Sequence, residues 1–122
     1  MKVRGIRGAT TVNHNDPDEI LQATVEMLNQ IIEENAVEPD DLCSVFVTVT
    51  QDLDSAFPAR AIREIPGWEL VPLMCSLEIP VQNSLEKCIR LMVLINTEKS
   101  QGEIRHVYLN KAKALRPDLT AN

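Results

Sequence analysis

Ile89-Arg90-Leu91-Met92-Val93-Leu94-Ile95 is the most hydrophobic run of the chain, and it carries a guanidinium in its second position. Its reading decides the fold. With Leu85 before it and Asn96 after it, the apolar residues Leu85, Ile89, Met92 and Val93 fit the spacing of a helix. The seven residues alone fit equally well a strand buried on both faces. Periodicity leaves both readings open, so the neighbouring segments must show what kind of layer the run would join.

Working outward, Ile104 to Leu109 reads as a strand, and Leu73 to Pro80 as an extended piece that Pro80 ends. Trp68-Glu69-Leu70-Val71-Pro72 reads as a short strand. Before it, Phe57 to Ile65 is a short helix stopped by Pro66-Gly67. Cys43-Ser44-Val45-Phe46-Val47-Thr48-Val49-Thr50 is β-branched almost throughout and predicts a buried strand. Val3 to Val12 alternates and predicts another. One long helix stands between these two strands. Asp16 is placed to cap it, Pro17 suits its first turn, and Glu19 sits three residues on to complete a capping box. Leu21, Val25, Leu28, Ile31 and Ile32 then form a stripe that ends near Asn35. The expectation is an α+β or α/β domain: a mixed β-sheet with one long helix and short helices around it.

The chain has 122 residues, which points to a single domain, 1–122, with the residues from 116 on as a tail. Hydrophobic residues make up 44% and charged residues 25%, a globular balance that excludes a disordered or collagen-like chain. No run of 18 or more apolar residues occurs, so no membrane partner is expected. The opening Met1-Lys2-Val3-Arg4-Gly5 lacks the apolar stretch of a secretory signal, which sets the expectation of a cytoplasmic protein. Aromatics are 3% and the net charge is −6, a poor composition for nucleic acid. Cys43, Cys75 and Cys88 form no close pair, and His14 and His106 stand alone. Neither a disulfide framework nor a metal site is expected, and no nucleotide-binding or nucleophile-elbow motif occurs. No cofactor is expected.

Charge is uneven. Asn13 to Asp54 holds eleven acids and no Lys or Arg, while Ser55 onward holds nine basic and seven acidic residues. Strand parity places Arg7 on one face with Val3, Gly5, Ala9 and Thr11, a small and apolar neighbourhood. Arg90 lies between Ile89 and Leu91. A guanidinium keeps its proton in proteins, so a buried one needs an anion. That anion is a carboxylate of this chain, in a structural ion pair, or a ligand on which several Arg converge. Arg60 and Arg63 project from one face of the short helix. Glu78 is the lone charge in Leu73-Met74-Cys75-Ser76-Leu77-Glu78-Ile79-Pro80, as a partner for an Arg or an acceptor for a hydroxyl. Cys75 has no histidine near it in sequence to make it a nucleophile.

Taken together, these residues resemble one family, the monofunctional, trimeric AroH-class chorismate mutases. Arg4-Gly5-Ile6-Arg7-Gly8-Ala9-Thr10-Thr11 is similar to the family's opening. Similar in turn are Phe57-Pro58-Ala59-Arg60-Ala61-Ile62-Arg63, Gly67-Trp68, Val71-Pro72, Lys87-Cys88-Ile89-Arg90, Ile104-Arg105-His106-Val107-Tyr108-Leu109 and Leu115-Arg116-Pro117-Asp118-Leu119. The resemblance runs from residue 2 to 119. It implies a homotrimer forming a pseudo-α/β barrel, with active sites between adjacent subunits, and it makes Leu85 to Asn96 a strand.

The implied reaction is the Claisen rearrangement of chorismate to prephenate, on the branch to phenylalanine and tyrosine, without cofactor or metal. The resemblance also implies roles. Arg90 would donate to the ether oxygen; Arg7 and Tyr108 would grip the side-chain carboxylate; Glu78 and Cys75 would hold the ring hydroxyl. Phe57, Leu73 and Leu115 would line the apolar wall, and Arg60, Arg63 and Arg116 would draw in the dianion at the mouth. Met74 departs from the pattern, standing where a family member carries a hydroxyl. Arg60 keeps the charge, though not the shape, of a lysine at its place.

Overall fold

Alternation along the strands sorts side chains onto two faces of one sheet, and only one of those faces is covered. The computed structural model describes residues 1–116. Five strands, β1 (Lys2–Thr11), β2 (Leu42–Val49), β3 (Leu73–Leu77), β4 (Cys88–Thr97) and β5 (Val107–Tyr108), form a mixed sheet in the order β3-β2-β4-β1-β5. The disputed run is therefore the central strand. β4 pairs antiparallel with both β1 and β2, while β3 lies parallel to β2 and β5 parallel to β1. Ile89, Leu91, Val93 and Ile95 on its one face are buried. Arg90 and Met92 on the other are exposed, so the expectation of burial on both faces is corrected: within this chain β4 has one dry face.

The covering layer consists of α1 (Pro17–Asn35) and α2 (Pro58–Arg63). Asp16 caps α1, accepting from the Glu19 N–H at 3.0 Å, with Pro17 in the first turn. The capping box is not completed as expected. Glu19 reaches past Asp16 to the N–H groups of Asn13 and His14, because the Asp16 N–H is already given to the His14 carbonyl. The buried stripe is also rotated from the one expected. Ile20, Thr24, Met27, Leu28, Ile31 and Asn35 face the sheet, and Leu21 and Val25 turn toward α2 instead. Gly8 lets this helix approach. A Cβ there would lie 2.7 Å from Ile31 Cδ1 and 3.0 Å from Met27 Sδ, so any larger residue would have to push the ends of these helix side chains aside.

Two expected strands are shortened or absent. Trp68 to Pro72 is a sequence of turns, with the Trp68 N–H on Ile65 O and the Val71 N–H on Trp68 O. Gly67 at φ +91° reverses the chain, Trp68 drops into the core and Leu70 is left exposed. Ile104 to Leu109 keeps only Val107 and Tyr108 as strand, since the peptide of Arg105 is drawn away by Asn35. Pro117, Asp118, Leu119 and the rest of the expected tail lie outside the described residues.

Candidate active site

Register places the singled-out residues on the open face. One row across the sheet runs Tyr108, Ala9, Arg90, Thr48, Ser76; the next runs Arg7, Met92, Phe46, Met74. Arg7 and Arg90 are thus diagonal neighbours on adjacent strands, with Cα atoms roughly 7–8 Å apart. Alanine at position 9 is what leaves space between them. A hollow of about 380 Å³ opens here, lined among others by Arg7, Ala9, Arg90, Tyr108, Leu115 and Arg116.

Arg90 is not waiting for an anion. Its Nε donates to Glu78 Oε2 at 2.5 Å and its Nη2 to Glu78 Oε1 at 3.0 Å, a fork-on-carboxylate pair. Thr48 Oγ1 adds a third hydrogen bond to the same carboxylate. Partial burial alone would raise the Glu78 carboxyl, but the bonds from Arg90 and Thr48 outweigh it and hold it below its ordinary value. Glu78 in turn holds the Arg90 guanidinium above its own usual value, so both stay charged. The bland reading of Arg90 as one half of an ion pair is thus correct for the free chain. It does not exhaust the side chain, which is 51% exposed and has five N–H donors, of which Glu78 engages two.

The start of β4 is fixed from below. Asp52 accepts the Lys87 N–H through both oxygens, at 2.9 and 3.2 Å, and the hydroxyl of Thr50. Thr50 Oγ1 accepts the Cys88 N–H at 3.0 Å. This bracket holds Lys87 at φ +48° and sets the register in which Arg90 points outward. Cys88, two residues before Arg90 and of the same parity on β4, is nonetheless buried, and that burial pushes its thiol up to about 11 despite the nearby cation. It is a packing group with no nucleophilic character at neutral pH.

The other expected site residues gather elsewhere. Cys75 is in register with Val47, so it faces the helical side of the sheet, opposite to Glu78. With Phe57, Leu53, Pro58 and Leu77 it lines a second, more apolar hollow of about 530 Å³ along the β3 edge. Phe57 is 73% exposed there. Leu73 packs half-buried against the core and Met74 is exposed on the open face. Arg60 and Arg63 stand exposed on α2, Arg60 paired with Glu64 at 3.7 Å. One chain therefore brings Arg7, Glu78, Arg90, Tyr108, Leu115 and Arg116 together, and does not bring them to Phe57, Cys75, Arg60 and Arg63.

Sequence reasoning passed over Thr48, Phe46 and Met92, which share the open face. Their signal was parity on β2 and β4, readable only once the register is known. Among the described residues no three His, Cys, Asp or Glu side chains group as metal ligands, and no helix is long and apolar enough to cross a membrane.

What the open face offers is a fixed cation with donors to spare, a second Arg beside it and a phenol along the row. That arrangement suits an anionic ligand whose charge shifts, and it contains no nucleophile paired with a base. Comparison with known proteins agrees. The family model described as chorismate mutase type I matches residues 3–119. A chorismate mutase AroH of Bacillus subtilis (strain 168) is 49% identical over 120 residues, covering 98% of this chain and 94% of that protein. The Thermus thermophilus chorismate mutase AroH is 50% identical over 118 residues, 96% of each. A solved chorismate mutase from Clostridium thermocellum matches with a TM-score of 0.88 at 52% identity, over 91% of this chain and 98% of that one.

Proposed function

The chain belongs to the type I chorismate mutase family, and from that premise we propose that its two hollows are halves of one active site, joined between adjacent copies of a homotrimer. It is a chorismate mutase, an isomerase of aromatic biosynthesis that converts chorismate to prephenate. Residues 1–122 act as one domain. Three free cysteines suit a reducing compartment, and we place the enzyme in the cytoplasm.

The reaction is pericyclic, so it requires neither nucleophile nor obligatory proton transfer. The protein must hold a flexible diacid in its diaxial shape and meet the charge that appears as the ether C–O bond breaks. Negative charge develops on the ether oxygen and positive charge on the ring. Arg90 donates to that oxygen through N–H groups that Glu78 leaves unused. Because Glu78 and Thr48 fix the guanidinium beforehand, little reorganisation is needed as the charge develops. A preorganised donor of this kind contributes roughly 3–4 kcal/mol to the transition state. Arg7 and Tyr108 take the side-chain carboxylate. Glu78, with Cys75, meets the ring hydroxyl and sets a negative charge near the ring cation. Phe57, Leu73 and Leu115 form the apolar wall, Met74 contributes backbone alone, and Arg60, Arg63 and Arg116 attract the dianion despite the net −6.

The observation that carries this reading is the Arg90 fork clamped by Glu78, in one row with Tyr108 and diagonal to Arg7. Trimerisation is supported by the uncovered sheet face, where Phe46, Met74 and Met92 are 42%, 62% and 37% exposed. Ultraviolet loss of chorismate with formation of prephenate, in buffer without cofactor, tests the function. Binding of chorismate by the purified protein without turnover overturns it. Light scattering should give about three times the 13.7 kDa chain mass, and a stable, fully active monomer overturns the shared site.

A further inference from the structure

We propose that His106 is a positioning residue for Arg7: its ring stands in for a strand carbonyl and fixes the backbone from which the carboxylate-gripping guanidinium projects. This rests on the reading of Arg7 as a substrate ligand.

The argument begins with a ladder that stops early. β5 pairs with β1 only through Gly8↔Val107 and Ala9↔Tyr108, and the Leu109 N–H donates to Ala9 O at 2.9 Å. In a parallel ladder the next acceptor back along the strand, for the Arg7 N–H, is the carbonyl of Arg105. That carbonyl is taken. Asn35, the last residue of α1 and 2% exposed, donates Nδ2 to Arg105 O at 2.9 Å and accepts the Arg105 N–H on Oδ1 at 2.8 Å. The Arg105 peptide is thereby bound to the helix instead of to β1. The Arg7 N–H turns to His106 Nδ1, 2.9 Å away. Helix end, Asn35, Arg105, His106 and Arg7 form one chain of contacts reaching from the covered layer to the open face.

The geometry demands a particular ring. Nδ1 accepts, so the proton sits on Nε2, and a doubly protonated imidazole would set N–H against N–H. The charged groups acting on it are cations, Arg7 from β1 and Arg116 beyond the end of β5, while α1 presents the neutral Asn35 amide and the chain neighbour is Arg105. Burial first, then these two cations, hold His106 below its ordinary 6.5. The ring thus stays an acceptor through neutral pH and is lost as one in acid, below 6.5.

His106→Leu removes the acceptor and His106→Asn restores one in nearly the same place. We expect Leu to raise KM about fivefold to tenfold, the size of one lost hydrogen bond, with a smaller change in kcat. Asn should bring KM back to within about twofold of wild type and remove the acid fall in kcat/KM expected of wild type as the ring protonates below 6.5. Nitrogen NMR of the wild-type ring should find Nδ1 without a proton, and the Arg7 amide should exchange slowly in wild type and in Asn but fast in Leu. A proton on Nδ1, or an unchanged KM and acid limb in both variants, overturns the proposal. Should His106→Leu not fold, the ring tautomer and the acid limb of His106→Asn decide it. Arg7→Ala separates the two claims. If it leaves KM unchanged, the site assignment of Arg7 fails, whereas a large rise in KM for Arg7→Ala beside an inert His106→Leu defeats the positioning role alone.

Discussion

The two faces of this sheet are made by the same strands and do opposite things. On β4, Ile89, Leu91, Val93 and Ile95 are sealed under α1 and α2, while Arg90 and Met92, one residue out of phase, look outward. On β1 the helix touches Gly8 and leaves the Arg7 side open. The centre of the covered face is apolar, and charge appears at its rim, where Arg4, paired with Ile95, donates Nε to the Lys99 carbonyl at 3.1 Å. The open face concentrates Arg7, Arg90 and Glu78 among exposed apolar groups, a combination no monomer core would choose. A period of two residues is therefore enough to separate what stabilises the chain from what it does with a ligand.

Replacing Arg90 by citrulline breaks that separation most directly, since it keeps shape and removes charge. Kcat should fall by about 10²–10³, with a much smaller loss of substrate affinity, because the ether is nearly neutral until the transition state. Arg90→Lys should fall between. Melting temperature should hardly move, as a half-exposed pair contributes at most about 1 kcal/mol. Should kcat stay within about tenfold, roughly 1.4 kcal/mol, conformational restraint rather than charge carries the rate.

Ile89→Ala, one residue away on the covered face, should do the reverse. Denaturant unfolding should find a loss of about 2–5 kcal/mol, with kcat per folded active site much closer to wild type. Mutating Phe46 and Met74 together to Ser should leave the fold intact and shift light scattering toward the monomer; retention of a trimer would show that the exposed face is not what joins copies.

The pH dependence of stability sharpens the comparison further. The folded Glu78 carboxyl is held below its unfolded value of 4.5, so its contribution is present above 4.5 and is lost as pH falls through the lower folded value. Urea midpoints of wild type and Glu78→Gln should converge in that acid window, by about 1 kcal/mol or less because Arg90 is half-exposed. The smallest effect belongs to the exposed cations of α2. Arg63→Ala should raise KM a few-fold and leave kcat near wild type, as expected of a group that attracts a dianion without touching the breaking bond.

How much of this was legible in the sequence follows from how local each signal is. Asp16, Pro17 and the apolar period mark α1 without help from the rest of the chain, though not its rotation, which Gly8 and α2 set between them. β4 could not be told from a helix because its identity lies in its partners, β1 and β2, and only the family resemblance supplied them. Trp68 to Pro72 has strand-like composition, yet Gly67 turns the chain there. Arg7, Arg90 and Glu78 stood out as charges in apolar stretches. Cys75 and Glu78 differ in parity, which already hinted at opposite faces. Thr48 and Asn35 carried no local signal; each matters through a partner at least thirty residues away.

The neighbours of β1 set the order in which the molecule can be made. Its ladder with β4 runs from Thr11↔Cys88 to Lys2↔Thr97, so β1 leaves the ribosome long before the strand it pairs with. At about 5–20 residues per second, β1 waits roughly 4–15 s for its partner. Meanwhile α1, and later β2 with β3, can associate, but the sheet has no centre until β4 arrives. Closure is a late, long-range event, and the folding rate should carry the loop-closure cost of that topology. A circular permutant that joins the ends and opens the chain in an exposed loop between β3 and β4 would bring β4 and β1 closer in sequence, and should fold faster with the same final sheet.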